Sequence, residues 1–140
     1  MRRREKGFTL VEMMVVIVII GILATVVIVN VAGKGDDAKA KATEAIVKQV
    51  AQQVELFKLK HNVYPENPVD LFRMPSYIDP KTWPPGGYLT EPPLDGWGRE
   101  IQMRKPGRDG APFDVFSFGE DGREGGEQYA ADIYHRKQIR

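Results

Sequence analysis

Cysteine is absent from all 140 residues. Its absence excludes a disulfide framework, a thiolate zinc site and a thiol nucleophile, and leaves the redox compartment open. Histidine occurs only at His61 and His135, far apart in sequence. That spacing builds neither a metal–histidine pair nor a Ser/His/Asp set, and each reads as a solvated surface residue. Neither sign of charge dominates: 20 Lys and Arg stand against 19 Asp and Glu, for a net +1. A bulk attraction for nucleic acid is therefore missing. No glycine loop of the phosphate-binding kind appears either. With no catalytic set in view, the chain reads as a non-enzyme.

Charge is scarcest in one block. From Phe8 to Ala32 the only charged side chain is Glu12. As a helix at ~1.5 Å per residue, this run reaches across the ~30 Å hydrocarbon core of a bilayer. Met1 to Gly7 reads MRRREKG, and Arg2, Arg3, Arg4 and Lys6 predict a cytoplasmic N-terminus. A cleaved secretory signal has a shorter apolar stretch closed by small residues. Here Val and Ile surround the isolated Ala24 and Ala32, so 8–32 is expected to be a retained transmembrane helix.

Glu12 needs a reason to lie in such a run, because an unpaired carboxylate at bilayer depth costs ~2.5–3.5 kcal/mol. It either sits at the headgroup boundary or pairs with a positive group in an assembly. The residues Gly7-Phe8-Thr9-Leu10-Val11-Glu12 and the following MMVVIVIIGILA resemble the N-terminal signal of type IV pilins and pseudopilins. The resemblance implies a leader, 1–7, removed by a prepilin peptidase between Gly7 and Phe8, with Phe8 then N-methylated. It also implies that Glu12 pairs with the Phe8 amino group of a neighbouring subunit, which would compensate the isolated charge. Removing the leader's four basic and one acidic side chains takes the net charge from +1 to −2.

Beyond the boundary at Gly33-Lys34-Gly35 the chain turns polar but keeps helical periodicity. Ala38, Ala40, Ala42, Ala45 and Ala51 are strong helix formers, and Asp36 and Asp37 suit a first turn. Ala42, Ile46, Val50, Val54 and Phe57 recur at helical spacing and predict one apolar face over a helix 36–62. That helix either continues the anchor or is interrupted at the glycine pair. Pro65 ends it. Residues 63–98 are rich in Pro and Gly and read as a long ordered loop with a short helical turn near 69–74. Tyr77, Trp83, Tyr88, Leu94 and Trp97 pin it to the helix, since that much apolar surface would otherwise be stranded in water. Arg99 to Arg104 and Phe113 to Phe118 flank Pro106-Gly107-Arg108-Asp109-Gly110, the pattern of a hairpin. The expected fold is α+β, with a long N-terminal helix packed on a small antiparallel sheet within a domain 33–140.

The segments Trp83-Pro84-Pro85-Gly86-Gly87-Tyr88-Leu89, Asp95-Gly96-Trp97-Gly98 and Asp114-Val115-Phe116-Ser117-Phe118-Gly119-Glu120-Asp121-Gly122 resemble the major pseudopilins of type II secretion systems. Departures exist. Relatives usually carry a proline in the second half of the helix, another where Gly96 stands, and a Trp near Tyr134. On composition alone, Phe118 to Glu127 is a solvated acidic turn without the EF-hand spacing. The resemblance implies instead a structural calcium held by Asp121 and Asp132 side chains and the carbonyls of Phe118 and Arg123. It further implies a homopolymeric periplasmic pseudopilus built from the inner membrane by an ATP-driven assembly platform. Minor pseudopilins would be partners, lipid the environment before assembly, and passage of folded proteins across the outer membrane the outcome. A type IV pilus subunit forming surface fibres is the alternative.

Overall fold

The computed structural model describes residues 8–136, with side chains outside 24–34. The leader expected over 1–7, including Gly7, therefore lies outside the described residues. Helix α1 spans Leu10–His61, and the chain divides into two compact units between Gly35 and Asp36. The glycines at 33 and 35 do not interrupt the helical assignment.

In the first unit, the side chains described along the helix, from Leu10 to Leu23, are all exposed. Among the described residues no helix is long and apolar enough to cross a membrane. The part of the apolar run with described side chains, 8–23, is only ~24 Å long at ~1.5 Å per residue, short of a bilayer core.

The second unit has its core on one face of α1. Val47, Val50, Ala51, Val54 and Phe57 are buried against Leu71, Ile78, Leu89, Ile101, Phe113 and Val115. The face is rotated from the expected one. Ala42 is exposed and Ile46 only half-buried, while Thr43 and Val47 are fully buried. Thr43 is tolerated inside because its hydroxyl donates to Lys39 O at 2.8 Å and accepts from Gly96 N at 2.9 Å. The helix stops because Asn62 takes a left-handed φ of 59°, donates its N–H to Lys58 O, and is followed by Pro65.

The loop 63–98 contains two short 3-10 turns, Pro68–Leu71 and Pro80–Thr82. Trp83 and Tyr88 pack on the core as expected, but Tyr77 and Leu94 remain exposed. Tyr77 pins the loop through its hydroxyl instead, which donates to Asp70 and accepts from Glu66 N. Strands β1 (Gln102–Arg104) and β2 (Asp114–Ser117) form the expected antiparallel hairpin. A third strand, β3 (Ile133–Tyr134), pairs with β2 on its other side, giving the order β1-β2-β3.

Candidate functional site at the helix start and the acidic loop

Thr9 and Glu12 form a reciprocal cap at the start of α1. Glu12 Oε2 accepts from Thr9 N at 2.8 Å and from Thr9 Oγ1 at 3.1 Å, and Glu12 N approaches Thr9 Oγ1 at 3.3 Å. Two orphan donors of the helix terminus are satisfied at once. The Thr-x-x-Glu spacing of Thr9 and Glu12 is the sequence signature of this cap. Phe8 stands just ahead of the cap and is 80% exposed, so both residues singled out at the junction are accessible.

The acidic loop follows β2. Ser117, fully buried, donates its hydroxyl to Asp95 Oδ2 at 2.7 Å and accepts from Gly119 N at 3.0 Å. Asp95 Oδ1 in turn accepts from Trp97 N and Arg99 N, both at 2.9 Å. This chain of bonds fixes where the loop leaves the sheet. Glu120 N donates to Tyr129 O at 2.8 Å, folding the loop back on itself. The returning backbone leaves no room for a Cβ at Gly119, whose φ is 69°. Tyr129 then reaches α1 and donates its hydroxyl to Asp37 Oδ1 at 2.8 Å. That bond raises the phenol's pKa, with a smaller contribution from burial.

The four positions expected to hold calcium all lie on this loop and its base. Asp121 Oδ1 accepts from Arg123 N at 3.0 Å. Asp132 receives Gly125 N on both oxygens, at 3.2 and 3.1 Å, and the Tyr134 hydroxyl at 3.5 Å. Phe118 packs edge-on against Phe116. The donors are acceptor oxygens on a glycine-turned loop, the chemistry a hard cation prefers. Among the described residues, however, no three His, Cys, Asp or Glu side chains gather closely enough to hold a metal. Glu124 is engaged elsewhere, with Arg108 at 2.8 Å and Arg104 at 3.4 Å.

The histidines depart from expectation, for both are half-buried. His61 lies in a box of Phe57, Tyr88 and Thr82, and His135 stacks on Phe113 at 5.4 Å and 9°. Tyr88 and Thr82 stand 27 and 21 positions from His61, so nothing in its sequence neighbourhood announced the box.

A capped helix carrying an exposed N-terminal aromatic, ahead of a three-stranded antiparallel sheet, defines the pilin-like class. A prokaryotic N-terminal methylation motif matches residues 2–28. The model of the type II secretion system protein G family matches residues 30–136, and the chain belongs to that family. It is 41% identical over 136 residues to the type II secretion system core protein G of Pseudomonas aeruginosa, covering 94% of this chain and 95% of that one. The protein of the same description from Vibrio cholerae is 38% identical over 134 residues, covering 94% and 91%. The crystal structure of the major pseudopilin from the type 2 secretion system of enterohaemorrhagic Escherichia coli is similar at a TM-score of 0.59 and 27% identity, covering 75% of this chain and 92% of that one.

Proposed function

We propose that this chain is a structural subunit, the major pseudopilin of a type II secretion system, and not an enzyme. It would polymerise into a periplasmic pseudopilus that helps move folded proteins across the outer membrane. Family membership over residues 30–136 carries this reading; the relatives are named as type II secretion system core protein G, and the similar solved structure is that of a major pseudopilin. The exposed apolar side chains from Phe8 to Leu23 supply a surface for helix-to-helix association.

In this reading a prepilin peptidase cuts between Gly7 and Phe8 and Phe8 is N-methylated. Before assembly, 8–32 anchors the subunit in the inner membrane with the C-terminal unit in the periplasm. Assembly exchanges partners at Glu12. Its bonds to Thr9 satisfy the carboxylate within one chain, and the Phe8 ammonium of a neighbour would replace them with a charge-assisted contact. The assembly platform, minor pseudopilins and an ATP-driven motor supply the rest.

Calcium, if bound, would be held by Asp121, Asp132 and the carbonyls of Phe118 and Arg123. It would supply positive charge to a loop of exposed acids, with no chemical step. The two carboxylates and the glycine-turned backbone support this assignment.

The test is filament assembly in cells carrying the partner components, seen by electron microscopy. Wild-type chains are expected to form filaments and Glu12→Ala chains are not. Filaments from both in equal yield would sink the Glu12 pairing, and none from wild type would sink the subunit reading.

A further inference from the structure

The chain carries the same dipeptide three times: Asp95-Gly96, Asp109-Gly110 and Asp121-Gly122. In an aspartate–glycine pair the backbone can attack the neighbouring side chain. Glycine has no Cβ to shield its nitrogen, and its conformational freedom lets that nitrogen turn toward the carboxyl group. The attack needs a carboxyl group without partners and a backbone with room to turn. The fold places the three pairs in three different environments.

Asp95 is locked. Its Oδ1 accepts from Trp97 N and Arg99 N, and its Oδ2 accepts from the Ser117 hydroxyl. Gly96 N, the nucleophile of that pair, donates to Thr43 Oγ1, and Gly96 is pressed on the Lys39 backbone. Asp121 is held in part. Its Oδ1 accepts from Arg123 N, and the Arg99 side chain stands over Gly122, where a Cβ would lie 2.7 Å from Nε. The Asp109 side chain is exposed, with no hydrogen bond or ion pair among the described residues. A Cβ on Gly110 would meet no atom within 4 Å. The pair lies in a single 3-10 turn, Arg108–Gly110, none of whose residues is buried, so the turn opens without disturbing the core. Asp109 also sits at φ 54°, a left-handed conformation disfavoured for an L-residue, so turning out of it relieves strain.

We propose that Asp109-Gly110 is a site of spontaneous covalent modification, at which the folded chain isomerises to isoaspartate ahead of the other two pairs. Gly110 N attacks Asp109 Cγ in its neutral carboxyl form. The N–Cγ bond forms, the bond from Cγ to the hydroxyl breaks, and the amide proton leaves with that hydroxyl as water. The cyclic imide then takes up one water. Opening at the N–Cγ bond returns aspartate. Opening between N and the main-chain carbonyl carbon of Asp109 leaves the chain running through Cβ and Cγ. Water is the only other reactant, and the product has the mass of the starting chain. The added backbone carbon falls within a turn tied by Gly107 N to Ala111 O at 2.9 Å and by Arg108 N to Asp114 Oδ2 at 2.7 Å, so it strains the hairpin connection. This inference is independent of the subunit reading.

The experiment holds purified full-length chain at mildly acidic pH, where the neutral carboxyl form is present, warm but below its melting transition. A second sample is kept unfolded in denaturant at the same pH. Proteolysis and electron-transfer fragmentation, which splits the isoaspartyl Cα–Cβ bond, then quantify the product at each of the three positions. In the folded chain isoaspartate is expected at 109 more than about tenfold faster than at 95, because reaction at a packed pair must await a costly local opening. Position 121 should fall between them. In the denatured sample the three rates should converge. Asp109→Glu, whose longer side chain would have to close a six-membered ring, should abolish the product at 109. Folded chains that gain no isoaspartate at 109, or that gain it at 95 or 121 as fast, overturn the inference. A ranking that persists unchanged in denaturant belongs to local sequence and overturns it equally.

Discussion

The Tyr88 hydroxyl and His61 Nε2 lie 2.8 Å apart, joining the end of α1 to the long loop. Thr82 Oγ1, on the other side of the ring at 3.4 Å, spends its proton on Asp79 O. The network therefore assigns the imidazole proton to Nδ1 and makes Nε2 the acceptor of the Tyr88 proton. A second proton on His61 would compete for the position Tyr88 fills.

Burial, and secondarily the nearby Lys60, lowers the pKa of His61 below its ordinary 6.5. The unfolded chain thus takes up a proton before the folded one does. The His61 contribution to stability is fully present above about pH 6.5 and is lost as pH falls through the lower folded value. Thermal melting from about pH 8 to about pH 5 should show that loss in wild type and a smaller one in His61→Gln. Equal slopes in the two would count against it.

Asp114 is fully buried, accepts from Arg108 N at 2.7 Å, and pairs with Arg136 at 2.8 Å. Arg136 also donates to Arg108 O, so one carboxylate holds the hairpin turn and the chain end together. Asp114→Ala is expected to cost about 3 kcal/mol, the low end for a broken buried pair because Arg136 is partly solvated. Chemical denaturation measures it, and a loss below about 1 kcal/mol would show that the network is replaceable by water.

Thr43 and Gly96 dock the loop onto the helix backbone. A Cβ at Gly96 would stand 2.5 Å from Lys39 O, so Gly96→Ala forces the loop away from α1. Thr43→Val keeps the volume and removes the acceptor for Gly96 N, at about 1–3 kcal/mol. Gly96→Ala should be the more damaging of the two in denaturant unfolding, and the reverse order would contradict this packing.

Removal of divalent cations tests the loop. If Asp121 and Asp132 hold calcium as proposed, added calcium raises the melting temperature of wild type by linkage and leaves Asp132→Ala unmoved. An equal rise in both would take Asp132 out of the site.

Much of this was readable because it is local. The apolar run with its single Glu12, the basic stretch Met1 to Gly7 and the Pro106-Gly107 turn between two β-rich segments each declare themselves within a few residues. The α1 core face lies slightly off the register its apolar spacing predicts, because Ala42 and Ile46 have the right character and buried Thr43 does not. Only the Gly96 N–H, supplied 53 residues away, makes Thr43 a core residue. Strand β3 is two residues long, too short for any alternation to show. The His61 box and the pairing of Glu124 with Arg104 and Arg108 depend on contacts that only folding creates. The loop's acids were legible as a group. Which of them answers an arginine was not, because Glu124 differs from Glu120 and Glu127 only in what stands opposite.

Intact mass tests most directly whether this chain is a processed filament subunit. Co-expressed with a prepilin peptidase and extracted from membranes, the chain should lack Met1 to Gly7 and be heavier by one methyl group on Phe8. A full-length product, or one cut elsewhere, would contradict the account.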